Sequence, residues 1–263
     1  MNHDPLEHSI ARSLEAPNRQ LLPYLPELLV DLWALGSSPE LVVEILKPLG
    51  LPPKQTRILD VGCGKGAVTI TLARELGFAG VGVDACQAFL QEARRKAQEN
   101  QVEALCRFED ADIREFVPQA TGFDLVVYAS LGNVLGSFSE CIGCLRQTIR
   151  PDGYMLIDDG FLKETESLDR EGYEHYGSHA HTLEQLTSYG DTLVQEYIYP
   201  DAQTDAINAY YLKAITTRAT EVAQRHPHLQ DLLHSYVHNQ EIECDVIHRY
   251  VTGAIWLLQK QRP

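Results

Sequence analysis

The segment Asp60-Val61-Gly62-Cys63-Gly64-Lys65-Gly66 puts a carboxylate immediately before a run with glycine at every other position. Glycine lets a backbone turn sharply and approach a ligand closely, because no Cβ stands in the way. A helical pattern begins straight after the turn, with Ala67, Val68, Ile70, Leu72, Ala73 and Leu76 apolar. The first N–H groups of such a helix point unpaired toward whatever the turn holds. Two further acids stand at comparable places. Asp84 ends the next apolar run, where its carboxylate can accept both hydroxyls of a ribose. Asp112 follows the run after that, where it can accept from an exocyclic adenine amine while the N–H of Ile113 donates to the ring. Together these residues describe a nucleoside site.

A second set of residues could move protons. Tyr128, Asn133, Asp158 and Asp159 lie where loops leave the carboxyl ends of expected strands. Asp158 and Asp159 could be a base and an orienting carboxylate, or could simply close a strand and cap the next loop. The segment Tyr173-Glu174-His175-Tyr176 reads either as a lid with His175 as base or as an exposed loop. Glu174, His175, His179 and His181 are metal-ligand types, but their spacing matches no standard site, so no metal is expected. Cys141-x-x-Cys144 has no second cysteine pair and sits in a helical pattern, which favours core packing.

The elements that must hold these residues alternate regularly. Strands are expected at 57–61, 80–84, 103–108, 123–129 and 154–158, with helices at 65–77, 86–100 and 138–149 between them. The strand cores are near-continuous apolar runs, which is the pattern of parallel strands covered on both faces. The fold class is therefore α/β, a doubly wound Rossmann-like sheet. Residues 1–55 form a helical extension or cap, with helices at 26–35 and 39–50, the second capped by Ser38. Residues 1–22 read as a short helix or a loose arm. The main domain spans 56–263, and 160–249 contains an insertion suited to a lid. Within and after that insertion, a short helix from Thr182, a strand at 191–199, helices at 202–225 and 228–247 and a last strand at 251–258 are expected, giving seven strands in all.

Composition narrows the partners. The 263 residues carry a net charge of −15, and residues 151–263 hold 18 acidic against 8 basic side chains. Such a surface repels phosphate backbones, so no nucleic-acid partner is expected. No apolar run approaches the ~20 residues that span a bilayer, and the start of the chain lacks a signal-peptide pattern. A cytoplasmic location without membrane partners follows, consistent with scattered cysteines in apolar segments. The oligomeric state is left open.

The motifs Asp60-Val-Gly-Cys-Gly-Lys-Gly66, Val81-Gly-Val-Asp84, Asp112-Ile113, Phe123-Asp-Leu-Val-Val-Tyr128 and Arg150-Pro-Asp-Gly-Tyr-Met-Leu-Ile157 together resemble those of class I S-adenosylmethionine-dependent methyltransferases. The resemblance covers residues 56–160 well, and the last strand would be that family's antiparallel seventh. It implies S-adenosylmethionine as cofactor. Asp60, Gly62, Cys63 and Gly64 would hold the methionine end, Asp84 and Ala85 the ribose, Asp112 and Ile113 the adenine. The backbone from Ala129 to Leu131 would lie beside the sulfur. Lys65 is expected to face solvent, and Cys63 to be a small loop residue, since methyl transfer needs no thiol. The implied reaction is in-line methyl transfer to an oxygen or nitrogen of a small molecule, with His175, Asp158, Asp159 and Tyr128 as candidate catalytic groups. Alternatives are a protein side chain as acceptor, or cofactor binding without turnover. Gly62-x-Gly64-x-x-Ala67 also satisfies the loose dinucleotide fingerprint, which keeps a nicotinamide binder open.

Overall fold

A computed structural model describes residues 18–163 and 168–262, together with Leu14 and Ala16. In chain order the elements are α1 (Leu25–Leu28), α2 (Pro39–Leu46), β1 (Arg57–Val61), α3 (Ala67–Leu76), β2 (Ala79–Asp84), α4 (Gln87–Glu99) and β3 (Cys106–Asp110). There follow α5 (Ile113–Phe116), β4 (Phe123–Ala129), α6 (Phe138–Thr148), β5 (Ile149–Leu162), α7 (His179–Leu186), β6 (Thr192–Ile198), α8 (Asp201–Arg225), α9 (Gln230–Tyr250) and β7 (Val251–Gln259). They build one seven-stranded sheet of order β3-β2-β1-β4-β5-β7-β6. The first five strands are parallel, and β7 runs antiparallel between β5 and β6.

The apolar runs account for this arrangement. Leu59, Val126, Tyr128, Met155 and Trp256 pack on one face of the sheet against α6, while Ile58, Leu125, Val127, Leu156 and Leu257 pack on the other against α2 and α3. Alternate residues of each strand thus feed opposite cores, so both faces must be covered. Ser137 and Glu140 close the expected capping box at the start of α6. The strand order reverses between β1 and β4, the crevice where ligands of open α/β sheets bind.

Several boundaries differ from the sequence expectation. The expected helix at 26–35 stops at Leu28. The ammonium of Lys65 draws off the carbonyls that would have continued it, donating to Leu29 O and, at 2.8 Å, to Leu32 O. Lys65 is therefore buried, not solvent-facing. Ser38 precedes α2 but makes no side-chain capping bond. The α7 helix begins earlier than expected because Ser178, not Thr182, is its cap. Strand β5 is much longer than 154–158, since β7 pairs with it out to Leu162. The arm expected at 1–22 lies mostly outside the described residues.

Residues 21–32 dock on the α8–α9 pair. Leu25, Leu28, Leu29 and Leu32 are buried with Ile215, Val222, Leu233 and Tyr236 in one cluster. Each leucine so buried contributes about 1.5–3 kcal/mol, which outweighs the ~1–2 kcal/mol needed to order its backbone. The N-terminal segment is thus held over the carboxyl ends of the strands.

Lys65→Met should remove the donor from two carbonyls and cost about 1–3 kcal/mol. Urea unfolding checks this: a lower midpoint at unchanged slope is expected, and equal midpoints would show that the Lys65 contacts contribute nothing.

Candidate functional site

The glycine turn departs from β1 with φ of 68°, 51° and 73° at Gly62, Gly64 and Gly66. These are left-handed values that other residues rarely adopt. A Cβ at Gly62 would collide with the methyls of Leu131, and one at Gly66 would lie 2.8 Å from the Phe108 ring. Two backbone bonds set the turn, from Cys63 N–H to Val83 O (2.9 Å) and from Gly66 N–H to Cys63 O (2.8 Å).

Asp84 is fastened to this turn. Its Oδ2 accepts the Gly64 N–H and its Oδ1 the Cys86 N–H, each at 2.8 Å. Burial nevertheless pushes its carboxyl up. Each oxygen keeps a second lone pair, which is what a pair of sugar hydroxyls would use. Ala85 follows at the start of the loop into α4. Asp60 lies beneath the turn, and its Oδ2 accepts from Thr69 Oγ1 (2.6 Å) and Thr69 N–H (3.2 Å). Burial raises its carboxyl to about 6. The Cys63 thiol is buried and pushed well up by desolvation, so it is a packing group and not a nucleophile.

Asp112 caps α5, accepting the Arg114 N–H at 2.9 Å, and Ile113 is the first helical residue. The Arg114 guanidinium grips the same carboxylate at 2.6 Å and holds it below its ordinary value. A base amine at Asp112 would have to share it with Arg114. The glycine turn, Asp84 at the end of β2 and Asp112 just beyond β3 thus lie at the carboxyl edge of the sheet.

Where β4 ends at Ala129, Ser130 takes φ 55° and its N–H donates to Asp158 O at 2.7 Å. Leu131 then lies against Gly62. Beyond Ser130 opens a cavity of about 340 Å³, walled by the 130–134 turn, Asp158, Asp159, residues 171–176 and the facing sides of α8 and α9. Gly36 of the N-terminal segment closes one side, with φ 92° and room for no Cβ, since one would sit 2.5 Å from that of Ser130.

The structure brings three of the four candidate catalytic residues to this cavity. Asp158 is buried, and its Oδ2 accepts from Ser37 Oγ (2.6 Å) and Tyr199 OH (3.3 Å). Desolvation raises it to about 7. Asp159 Oδ1 accepts from Tyr176 OH at 2.6 Å, while its Oδ2 is buried without a hydrogen-bond partner. His175 Nε2 stands 3.6 Å from that oxygen, and neither ring nitrogen of His175 has a hydrogen-bond partner. The ring packs on Tyr176 with centroids 4.0 Å apart. At 7 % exposure His175 belongs to a cavity wall, while Glu171 and Glu174 of the same segment are exposed.

Tyr128 is the exception. It does not line the cavity; its hydroxyl donates to Gly132 O (2.9 Å) and accepts from Leu135 N–H (3.3 Å), and burial drives its pKa well up. Its alternation along β4 points it into the opposite core, where it supports the 132–135 turn. Asn133 donates to Glu174 at 3.0 Å and so ties that turn to the lid segment. His179 pairs with Glu196, and among the described residues no cluster could hold a metal ion. Ser37 and Tyr199 have no signal in the sequence, and Tyr176 enters only as a neighbour of His175. Each reaches the site through contacts 17 to 121 residues apart, which no local pattern announces.

Residues 52–211 match a family described as a methyltransferase domain. The uncharacterized Escherichia coli protein YjhP is 31 % identical over 109 residues, covering 41 % of this chain and 44 % of that protein. The phosphoethanolamine N-methyltransferase of Plasmodium falciparum is 26 % identical over 53 % of this chain and 52 % of its own. The chain thus spans about half the length of these curated relatives. A solved structure of a methyltransferase from Thiobacillus denitrificans, in complex with S-adenosylhomocysteine, superposes with TM-score 0.76 at 19 % identity over 90 % of this chain and 98 % of that one. That likeness shows the shared fold.

An acid kept protonated by folding stabilises below its unfolded pKa, and the contribution is lost as pH rises through its folded value. For Asp158 that loss runs from the ordinary carboxylate range upward and is complete just above its folded value of about 7. Asp158→Asn should therefore gain on the parent protein, by about 2–4 kcal/mol, as pH rises from 5 to 8. Paired urea melts at several pH values check it; parallel profiles would contradict the assignment.

Proposed function

The chain belongs to the methyltransferase-domain family, and from that premise we propose that it transfers the methyl group of S-adenosylmethionine to a small-molecule acceptor. The cofactor supplies a methyl on a cationic sulfur when bound. Asp60 and the turn at Gly62, Cys63 and Gly64 would hold its methionine end, Asp84 and Ala85 the ribose, Asp112 and Ile113 the adenine. The backbone of Ala129 to Leu131 would stand beside the sulfur.

The observation that carries the small-molecule reading is the cavity of about 340 Å³ that begins at Ser130. Its volume suits a compact ligand. Its walls include the N-terminal segment and two long helices, which narrow it on several sides. Holding the acceptor in line is the main requirement, and a base is needed only for a protonated acceptor. His175 is placed for that task. Its two ring nitrogens are free of hydrogen-bond partners, and Asp159 Oδ2 stands 3.6 Å away to receive the imidazolium. Bonds of this kind are commonly long before substrate arrives. The Plasmodium relative is named for a small-molecule acceptor, which accords with this reading. A cytoplasmic setting without nucleic-acid partners is part of the proposal, supported by the net charge of −15. Among the described residues no helix is long and apolar enough to cross a membrane.

Calorimetry tests the cofactor assignment. S-adenosylhomocysteine should bind and NAD should not, and Asp84→Ala should weaken binding by about 1–3 kcal/mol. Binding of NAD alone would sink the proposal, and unchanged affinity in the variant would remove Asp84 from the ribose. His175→Ala should lower turnover about 100-fold or more at nearly unchanged S-adenosylhomocysteine affinity; full activity would take His175 out of the base role.

A further inference from the structure

We propose that the methyl acceptor is a small primary or secondary amine that enters the cavity as its ammonium ion. The proposal rests on the methyl-transfer reading above and specifies its substrate class.

The lining of the cavity carries the argument. Asp158, Asp159, Glu171 and Glu243 face it, and none of the described residues around it is lysine or arginine. Apart from Arg170, which is paired with Glu243, a phosphate or carboxylate on a ligand would meet acidic groups there. The acids are not equivalent. Glu243 is engaged by Arg170 at 2.6 Å and by the Tyr173 hydroxyl. Asp158 receives two hydroxyls, from Ser37 and Tyr199. Asp159 differs, because its side chain is 3 % exposed and its Oδ2 has no hydrogen-bond donor. A carboxylate oxygen buried without a donor is costly to leave so. An ammonium ion is the ligand group that satisfies it in both charge and hydrogen bonding.

The remaining walls agree. Four tyrosine rings line the cavity, Tyr173, Tyr176, Tyr199 and Tyr211. Aromatic rings attract cations, and these four hydroxyls already donate to protein acceptors, which leaves them little to offer an anion. Asn208 also lines it, with a buried amide nitrogen that has no hydrogen-bond partner. That group can donate to a neutral oxygen elsewhere on the ligand.

The chemistry then closes. An ammonium nitrogen has no lone pair, so one proton must leave first, and His175 beside Asp159 can accept it. The freed lone pair forms the N–C bond as the C–S bond of the sulfonium breaks, and the bonding pair stays on sulfur. Positive charge passes from sulfur to the methylated nitrogen, and the proton on His175 leaves to solvent with the product.

The test uses the full chain saturated with S-adenosylhomocysteine. Amines from ethanolamine to tyramine are titrated calorimetrically, each beside the alcohol and the carboxylate that replace its amino group. The amines should bind at least tenfold tighter than either counterpart, and Asp159→Asn should abolish that preference while S-adenosylhomocysteine binds as before. Labelled methyl should move from S-adenosylmethionine to the nitrogen of the tightest binder. Equal or tighter binding of alcohols or carboxylates, or failure of every amine to bind, would overturn the proposal while leaving methyl transfer intact. Failure of S-adenosylhomocysteine itself to bind would instead remove the reading beneath it.

Discussion

The buried carboxyl of Asp158 joins four pieces of chain that are distant in sequence. Its Oδ2 takes the Ser37 hydroxyl from the N-terminal segment and the Tyr199 hydroxyl from the end of β6. Its backbone oxygen takes the Ser130 N–H from the turn after β4. Its own strand, β5, supplies the anchor. Hydrogen bonds in such a dry setting reinforce one another, and breaking one leaves an unpaired polar group inside. This knot sets the spacing between the glycine turn on one side and the cavity on the other. The glycine turn and the cavity then share one wall, the Ser130–Leu131 turn.

The cap over that wall is built from both ends of the chain. Lys65 lies within the glycine turn itself and binds carbonyls of the N-terminal segment, while the Trp33 indole donates back to Lys65 O at 3.2 Å. The same segment packs its leucines on α8 and α9, and Tyr211 of α8 joins it again, accepting from Gly36 N–H and donating to Ala34 O. Covering the turn and covering the cavity are consequently one structural act. The Asp158 and Asp159 carboxyls on the cavity side are buried, in low dielectric, where charge recognition is strongest.

Much of this was legible before any coordinates. The alternation of apolar runs and helical periods points to the parallel sheet, and the glycines to the left-handed turn between β1 and α3, because those features are local in sequence. What stayed hidden is non-local. The period at 26–35 is helical by composition, yet Lys65 competes for its carbonyls and unwinds it after Leu28. Lys65 reads as a solvent-facing helix start until a partner segment is laid over it. Tyr128 and Asp158 both lie near the carboxyl ends of the expected strands, but only register and sheet face decide that Asp158 meets the cavity and Tyr128 the core. In sequence nothing pairs Asp159 with His175; the burial of His175 with its Nε2 3.6 Å from the Asp159 carboxylate does so.

The account depends on the glycine turn and the cavity serving one reaction across Ser130. A crystal structure with S-adenosylhomocysteine tests this most directly. The account predicts the ribose hydroxyls on Asp84 and the sulfur beside Ser130, facing the chamber that holds Asp159 and His175. A ligand whose sulfur faces away from that chamber, or that binds without touching Asp84, would contradict it.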